Sequence, residues 1–207
     1  MKELVRLRYF LGIYPDGGNA LNNIYDFFNP KKTSLDYLSN FKRISNNSPK
    51  NPVILMFDNE LKSGKAKPIG KFMTHASILV KKSNLESDYM VGIIDNLYLL
   101  TVPLIDGKPE CDIEDLFESK TLSHKINGKT FSKNDTYDTS KHYGKEIYSK
   151  YILNNYADIN FKEFRLVLNN IENIINMYTK GSIDTGDDLE TKNIDKSSMR
   201  KPTLSSI

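Results

Sequence analysis

Cysteine is nearly absent. Cys111 stands alone, which excludes an intrachain disulfide and any zinc cage built on cysteines. Histidine is almost as scarce: His75, His124 and His142 are scattered, with no pair at the i, i+4 spacing that brings two ring nitrogens to one metal. Each reads as a surface or supporting residue. No apolar run reaches membrane-spanning length and no signal peptide is recognisable, so a cytoplasmic chain with no membrane partner is expected. An excess of one charge is missing too. The formal net charge is +3, compatible with nucleic acid but not diagnostic of it. There is no Walker lysine, no full dinucleotide fingerprint and no internal repeat.

What is present suffices for one ordinary domain. Over 207 residues, hydrophobic residues make up 39% and charged residues 27%, enough for a sizeable core and close to globular averages. The stretch that organises the rest is 52–60, Pro-Val-Ile-Leu-Met-Phe-Asp-Asn-Glu. A short apolar run bounded by turn residues suits a strand buried on both faces. The preceding Pro49 and Pro52 push their neighbours to extended geometry rather than helix. Asp58 and Glu60 then leave the carboxyl end of a strand, where ligands of open α/β sheets bind. Two carboxylates held about 4 Å apart repel by roughly 4 kcal/mol at an effective dielectric near 20. A hard divalent cation such as Mg2+ or Mn2+ relieves that repulsion. The plainer reading is that Asp58 and Asn59 open a surface turn.

In chain order, the alternation over 1–13 fits a helix end or an entering strand. The turn cluster 15–19 contains Asp16-Gly17-Gly18, which reads as a tight turn more readily than as a phosphate cradle. Leu21, Ile24, Tyr25 and Phe28 predict a helix over 20–28, and Leu35, Leu38, Phe41 and Ile44 predict another over 33–45. The loop 62–71 carries Lys62, Lys65, Lys67 and Lys71, with Lys50 nearby. Beside the carboxylates, such lysines would hold a phosphate backbone, though exposed loops of lysine-rich chains carry lysines anyway. Residues 73–82 are apolar and either helical or extended. A second strand is predicted over 97–104, ending near Pro103. Over 110–118 the acidic residues Asp112, Glu114 and Asp115 either favour the amino end of a helix through its dipole or point at Asp58 and Glu60 as further metal ligands. Asn127-Gly128 signals a hairpin over 125–133. A helix over 139–153 would carry Lys141 and Lys145 on one face. The clearest amphipathic helix lies over 161–178, and 181–207 reads as a disordered tail.

The ordered set of stretches at 52–60, 96–103 (Asn-Leu-Tyr-Leu-Leu-Thr-Val-Pro), 112–117 (Asp-Ile-Glu-Asp-Leu-Phe), 127–131 (Asn-Gly-Lys-Thr-Phe) and 141–148 (Lys-His-Tyr-Gly-Lys-Glu-Ile-Tyr) resembles the carboxyl-terminal TOPRIM-like region of retron-type reverse transcriptases. The resemblance covers roughly 1–178. It implies an α/β fold, a small, mostly parallel sheet with flanking helices over 1–180, ahead of the tail 181–207. It also implies magnesium-dependent phosphodiester chemistry in an antiphage defence system. Carried over residue by residue, Asp58 and Glu60 match the Asp-x-Asp pair, with glutamate in second place. Glu114 and Asp115 are similar to the further acidic pair of TOPRIM nucleases of the overcoming-lysogenization-defect type, and Lys145, or Lys141 as second choice, to their helix-borne lysine. The implied metal ligands are thus Asp58, Glu60, Glu114 and Asp115. The implied catalytic set is Asp58, Glu60 and Lys145, with nucleic-acid contacts from Lys62, Lys65, Lys67 and Lys141.

Two departures accompany the resemblance. The family's first-strand glutamate has no counterpart, so a TOPRIM-like domain lacking its first strand is expected. The Tyr-x-Asp-Asp palm motif is missing, so this chain would not polymerise DNA and a reverse transcriptase would act in cis or in trans. Two functions follow: metal-dependent cleavage of DNA or an RNA–DNA product where the site is complete, or a non-catalytic accessory module that binds nucleic acid or protein. An inactive fragment is the blandest alternative.

Overall fold

In the computed structural model, residues 20–29, 37–105 and 107–191 are described. The expectations for 1–19, for the start of the second helix at 33–36, for Asp106 and for 192–207 lie outside them.

The run Val53–Phe57 is a strand, β1, as its unbroken apolar character predicts. It pairs in parallel with β3 (Leu97–Thr101), Val53 opposite Leu97 and Phe57 opposite Thr101. On its other side β3 pairs antiparallel with β2 (Met90–Ile94), giving the strand order β1-β3-β2. The sheet is therefore mixed, whereas a mostly parallel one is expected from the sequence. Chain length is the reason. Only Asp95 and Asn96 separate β2 from β3, enough for a hairpin turn and far too few for the crossover that parallel strands need. Asp95 takes the positive φ of 48° that such a turn demands.

Alternation along β3 divides the core. Leu97 and Leu99, with Leu55 and Phe57 of β1, face a cluster built by the helices α1 (Ala20–Phe28), α3 (Pro68–His75) and α4 (Lys82–Asp88), including Tyr25, Phe28, Ile69, Phe72 and Leu85. The helix α2 (Tyr37–Ser45) joins through Tyr37. Leu100 on the opposite face meets Leu116 and the helix α7 (Arg165–Thr191) through Val167 and Ile174. Helices thus cover both faces of a small sheet. Phe72, Leu97, Leu99 and Leu100 have no exposed surface, and burying each contributes about 1.5–3 kcal/mol.

Elsewhere the expected elements survive with different bounds. The 73–82 stretch divides where Ser77 turns left-handed (φ 56°), between α3 and a 3-10 turn at Leu79–Lys81. The second strand stops at Thr101, although Val102 N–H still donates to the Phe57 carbonyl at 3.0 Å. Asn127 and Gly128 have φ of 51° and 77°, and Ile126 and Lys129 exchange both backbone hydrogen bonds at 3.0 Å. That is the tight turn the Asn-Gly pair predicts, but its outgoing strand β4 (Thr130–Phe131) pairs in parallel with β5 (His142–Tyr143). The helix expected over 139–153 consequently starts late, as α6 (Lys145–Asn154) behind an extended Gly144. Lys141 stays off the helix and does not share its face with Lys145. Between β3 and β4 lie a 3-10 turn at Ile113–Leu116 and the short helix α5 (Ser119–Leu122). α7 runs on to Thr191, across 181–191 of the expected tail, as helix propagation from a well-packed segment allows. Among the described residues no helix is long and apolar enough to cross a membrane.

Candidate functional site at the carboxyl ends of β1 and β3

Because β1 and β3 run parallel, their carboxyl ends open on one edge of the sheet. Beyond β1 the chain is pinned there: Asn59 and Cys111 exchange backbone hydrogen bonds at 2.8 and 3.1 Å. This bridge brings the acidic stretch 110–115 beside Asp58 and Glu60. Its 3-10 turn is held at the amino end by a capping box, in which the Asp112 side chain accepts from the Asp115 N–H and Asp115 Oδ2 accepts from the Asp112 N–H at 2.9 Å. The acidic run thus opens a helical turn, as one of its two readings expects, and lies beside the strand end.

Asp58 is the centre of the cluster. Its Oδ1 accepts the Ile113 N–H at 3.0 Å. Burial raises its pKa, the Ile113 bond opposes that, Asp112 and Glu114 raise it further, and Lys145 pulls it down; the net shift is upward. Glu114 is buried, and its Oε1 lies 3.0 Å from Lys145 Nζ at the amino end of α6. Burial alone would lower the Lys145 pKa; the Glu114 contact and the charges of Asp58 and Asp112 outweigh it and raise it. Three of the predicted residues, Asp58, Glu114 and Lys145, are thus brought into mutual electrostatic reach from three separate segments.

The other two predicted metal ligands are otherwise engaged. Glu60 Oε1 lies 2.5 Å from Lys67 Nζ. The Lys67 pKa is raised, foremost by that hydrogen bond. Asp115 Oδ1 lies 3.0 Å from Lys108 and also contacts Lys133, which reaches Asp112 as well at 3.2 Å. Burial would raise the Asp115 pKa, but these lysine bonds hold it below the usual carboxylate value. Among the described residues no group of three or more histidine, cysteine, aspartate or glutamate side chains is placed to hold a metal ion. The donor set Asp58, Glu60, Glu114 and Asp115 does not fit a magnesium ion as arranged, because a lysine ammonium already faces every member except Asp58. The lysines Lys108 and Lys133 carry much of this neutralisation. Lys108 is 7 residues from Asp115 and Lys133 is 18, spacings that mark no ion pair in the sequence.

Of the predicted nucleic-acid contacts, Lys62 is exposed, Lys65 sits in the 3-10 turn Gly64–Ala66, and Lys67 is tied to Glu60. Lys141 is exposed and lies 3.6 Å from Asp138. Two concavities flank the acidic cluster. One, of about 300 Å3, is lined by Asp58, Glu60, Leu21, Pro68, Ile69 and Ile113. The other is a cleft of about 650 Å3 along α6, walled by Phe117, Tyr148, Ile152, Tyr156 and Phe161, with Glu114 and Lys145 also in its lining. The cleft has no forerunner in the sequence reading, since Tyr148 and Ile152 at helical spacing look like core.

Compared with known proteins, the chain matches no family model and no solved structure. The likeness to TOPRIM-like regions therefore rests on the ordered sequence stretches alone.

Proposed function

We propose that this chain is a nucleic-acid-binding accessory module of the retron-type reverse-transcriptase kind, serving antiphage defence beside a polymerase in cis or in trans, and that it does not cut by itself. The observation that supports this reading is the pairing of Glu60, Glu114 and Asp115 with Lys67, Lys145, Lys108 and Lys133. Carboxylates matched by ammonium groups have little left for a cation, and their lysines set the geometry of the strand-end edge. The exposed Lys62 and Lys141 then supply phosphate contacts.

The test is fluorescence anisotropy with labelled single-stranded DNA, single-stranded RNA and an RNA–DNA duplex across a salt series, alongside gel analysis of the strands in Mg2+. Expected are affinity that falls with salt, a further loss in Lys62→Glu/Lys141→Glu, and strands that stay intact. Absence of binding to all three would sink the reading, and so would Mg2+-dependent cleavage abolished by Asp58→Ala.

One observation favours the second reading, a metal-dependent nuclease. Asp58 alone in the set has no lysine ion pair among the described residues, and its pKa is raised by burial first and then by the charges of Asp112 and Glu114. Displacing Lys145 from Glu114 would leave two neighbouring carboxylates for Mg2+ or Mn2+.

A further inference from the structure

From 119 to 134 the chain has four lysines and no carboxylate. Two of the four are engaged by acidic partners from outside the stretch: Lys133 by Asp112 and Asp115, and Lys120 by Glu118 at 3.5 Å. Lys125 and Lys129 are not. Lys129 Nζ donates to the Thr139 carbonyl at 2.6 Å, a neutral acceptor that leaves its charge uncompensated. Lys125 is exposed and has no ion pair among the described residues. Hydrogen bonds gather their surroundings. Thr130 N–H donates to the Lys141 carbonyl at 3.0 Å, and Thr130 Oγ1 lies 2.9 Å from His142 Nδ1. The turn 126–129 therefore lies beside 139–142, where Lys141 is exposed. The acidic residues of the connection are Asp135 and Asp138, and Asp138 Oδ1 already accepts from Ser140.

Such a local excess of positive charge attracts a polyanion, and the ring beside it narrows the class. The Tyr143 O–H donates to the His124 carbonyl at 2.7 Å, which fixes the start of the stretch against β5. His124 is exposed and stacks on Tyr151 of α6, with centroids 4.1 Å apart and planes 12° from parallel. Tyr151 covers one face of the imidazole, so the exposed surface belongs to the other face and the edges. Unpaired bases stack on a flat ring set among lysines while their phosphates are held alongside. A base inside a duplex keeps both faces on its neighbours, so a single strand is what offers one to His124. An acidic polypeptide would engage the lysines and leave the ring unused.

We propose that His124, Lys125 and Lys129 form a binding site for single-stranded nucleic acid, in which a base extends the His124–Tyr151 stack and the flanking phosphates meet the two lysines. This rests on the nucleic-acid reading above and adds the place of contact and the kind of strand.

Fluorescence anisotropy of the full chain tests it, with four labelled probes in a salt series: a short single-stranded DNA, the same strand carrying abasic sites, its duplex, and polyglutamate. Expected is a preference for the base-bearing single strand. His124→Ala should bind it about tenfold more weakly, and His124→Phe, which keeps a ring for the stack, should recover most of that loss. Lys125→Gln and Lys129→Gln should each lower the salt slope by about one. Both lysine variants leave the ring in place, so loss of fold in His124→Ala leaves the site testable. Strand binding that responds to none of these variants overturns this site and leaves the nucleic-acid reading standing, with its contacts elsewhere. Equal affinity for the abasic strand, the duplex or polyglutamate overturns the base stack. No binding of any strand overturns the nucleic-acid reading and this site with it.

Discussion

Asp58 and Asp115 lie in one acidic cluster and titrate in opposite directions. The raised pKa of Asp58 means that folding makes its carboxyl harder to ionise, chiefly through burial. Its contribution is most favourable below the ordinary value of 3.8 and is lost as pH rises through the higher folded value. Asp58→Asn, which keeps an oxygen for the Ile113 N–H, is therefore expected to raise the melting temperature at pH 7 and to leave it unchanged near pH 3. Asp115 has a lowered pKa, so its stabilisation is present above 3.8 and fades as pH falls through the lower folded value. Asp115→Asn should cost about 1–2 kcal/mol at pH 7 through the weakened cap and lysine contacts, and much less near pH 2. Thermal unfolding of both variants across pH checks the two signs. Lys145→Met leaves Glu114 with no partner for Oε1. It should destabilise the fold by about 1–3 kcal/mol, given that Lys145 is half exposed, and should raise affinity for Mg2+ and Mn2+ in calorimetry. An unchanged metal affinity would remove the support for the nuclease reading.

Among the elements, legibility follows how local the cause is. β1 is readable because five apolar residues between turn signals need no distant partner to be recognised, and the 127–128 turn because Asn and Gly tolerate positive φ. Gly128→Ala meets no atom within 4 Å of the new Cβ, yet the left-handed backbone should cost about 1 kcal/mol, measurable by chemical denaturation. A larger loss would mean that more than backbone strain is at stake. The antiparallel strand β2 is not readable in the same way. Gly92 interrupts its apolar run, a bulge shifts its register between Gly92 and Ile94, and no expectation covers it. Helix α6 is misjudged at its start because its boundary is set by the tertiary pairing of β4 with β5. On the far face of the sheet, Ile174→Ala on α7 should destabilise by about 2–5 kcal/mol, because Ile174 is 1% exposed.

For the whole molecule, the strand-end location of the site is legible and its charge balance is not. Carboxylates declare themselves in a row, whereas Lys108 and Lys133 reach them only after the chain has folded. The apolar residues of the second half pose a similar problem: Leu153, Tyr156, Leu168 and Met177 are all more than half exposed, although their spacing looks like core. The sheet's connectivity also sets an order of events. The β2–β3 hairpin closes over two residues and can zip within microseconds. The β1–β3 ladder must wait until the whole stretch between Val53 and Leu97, with α3 and α4, has collapsed, and such non-local pairing is slow. Asp58 and Glu60 follow β1, so the strand-end edge is complete only once this non-local pairing has formed, after the hairpin.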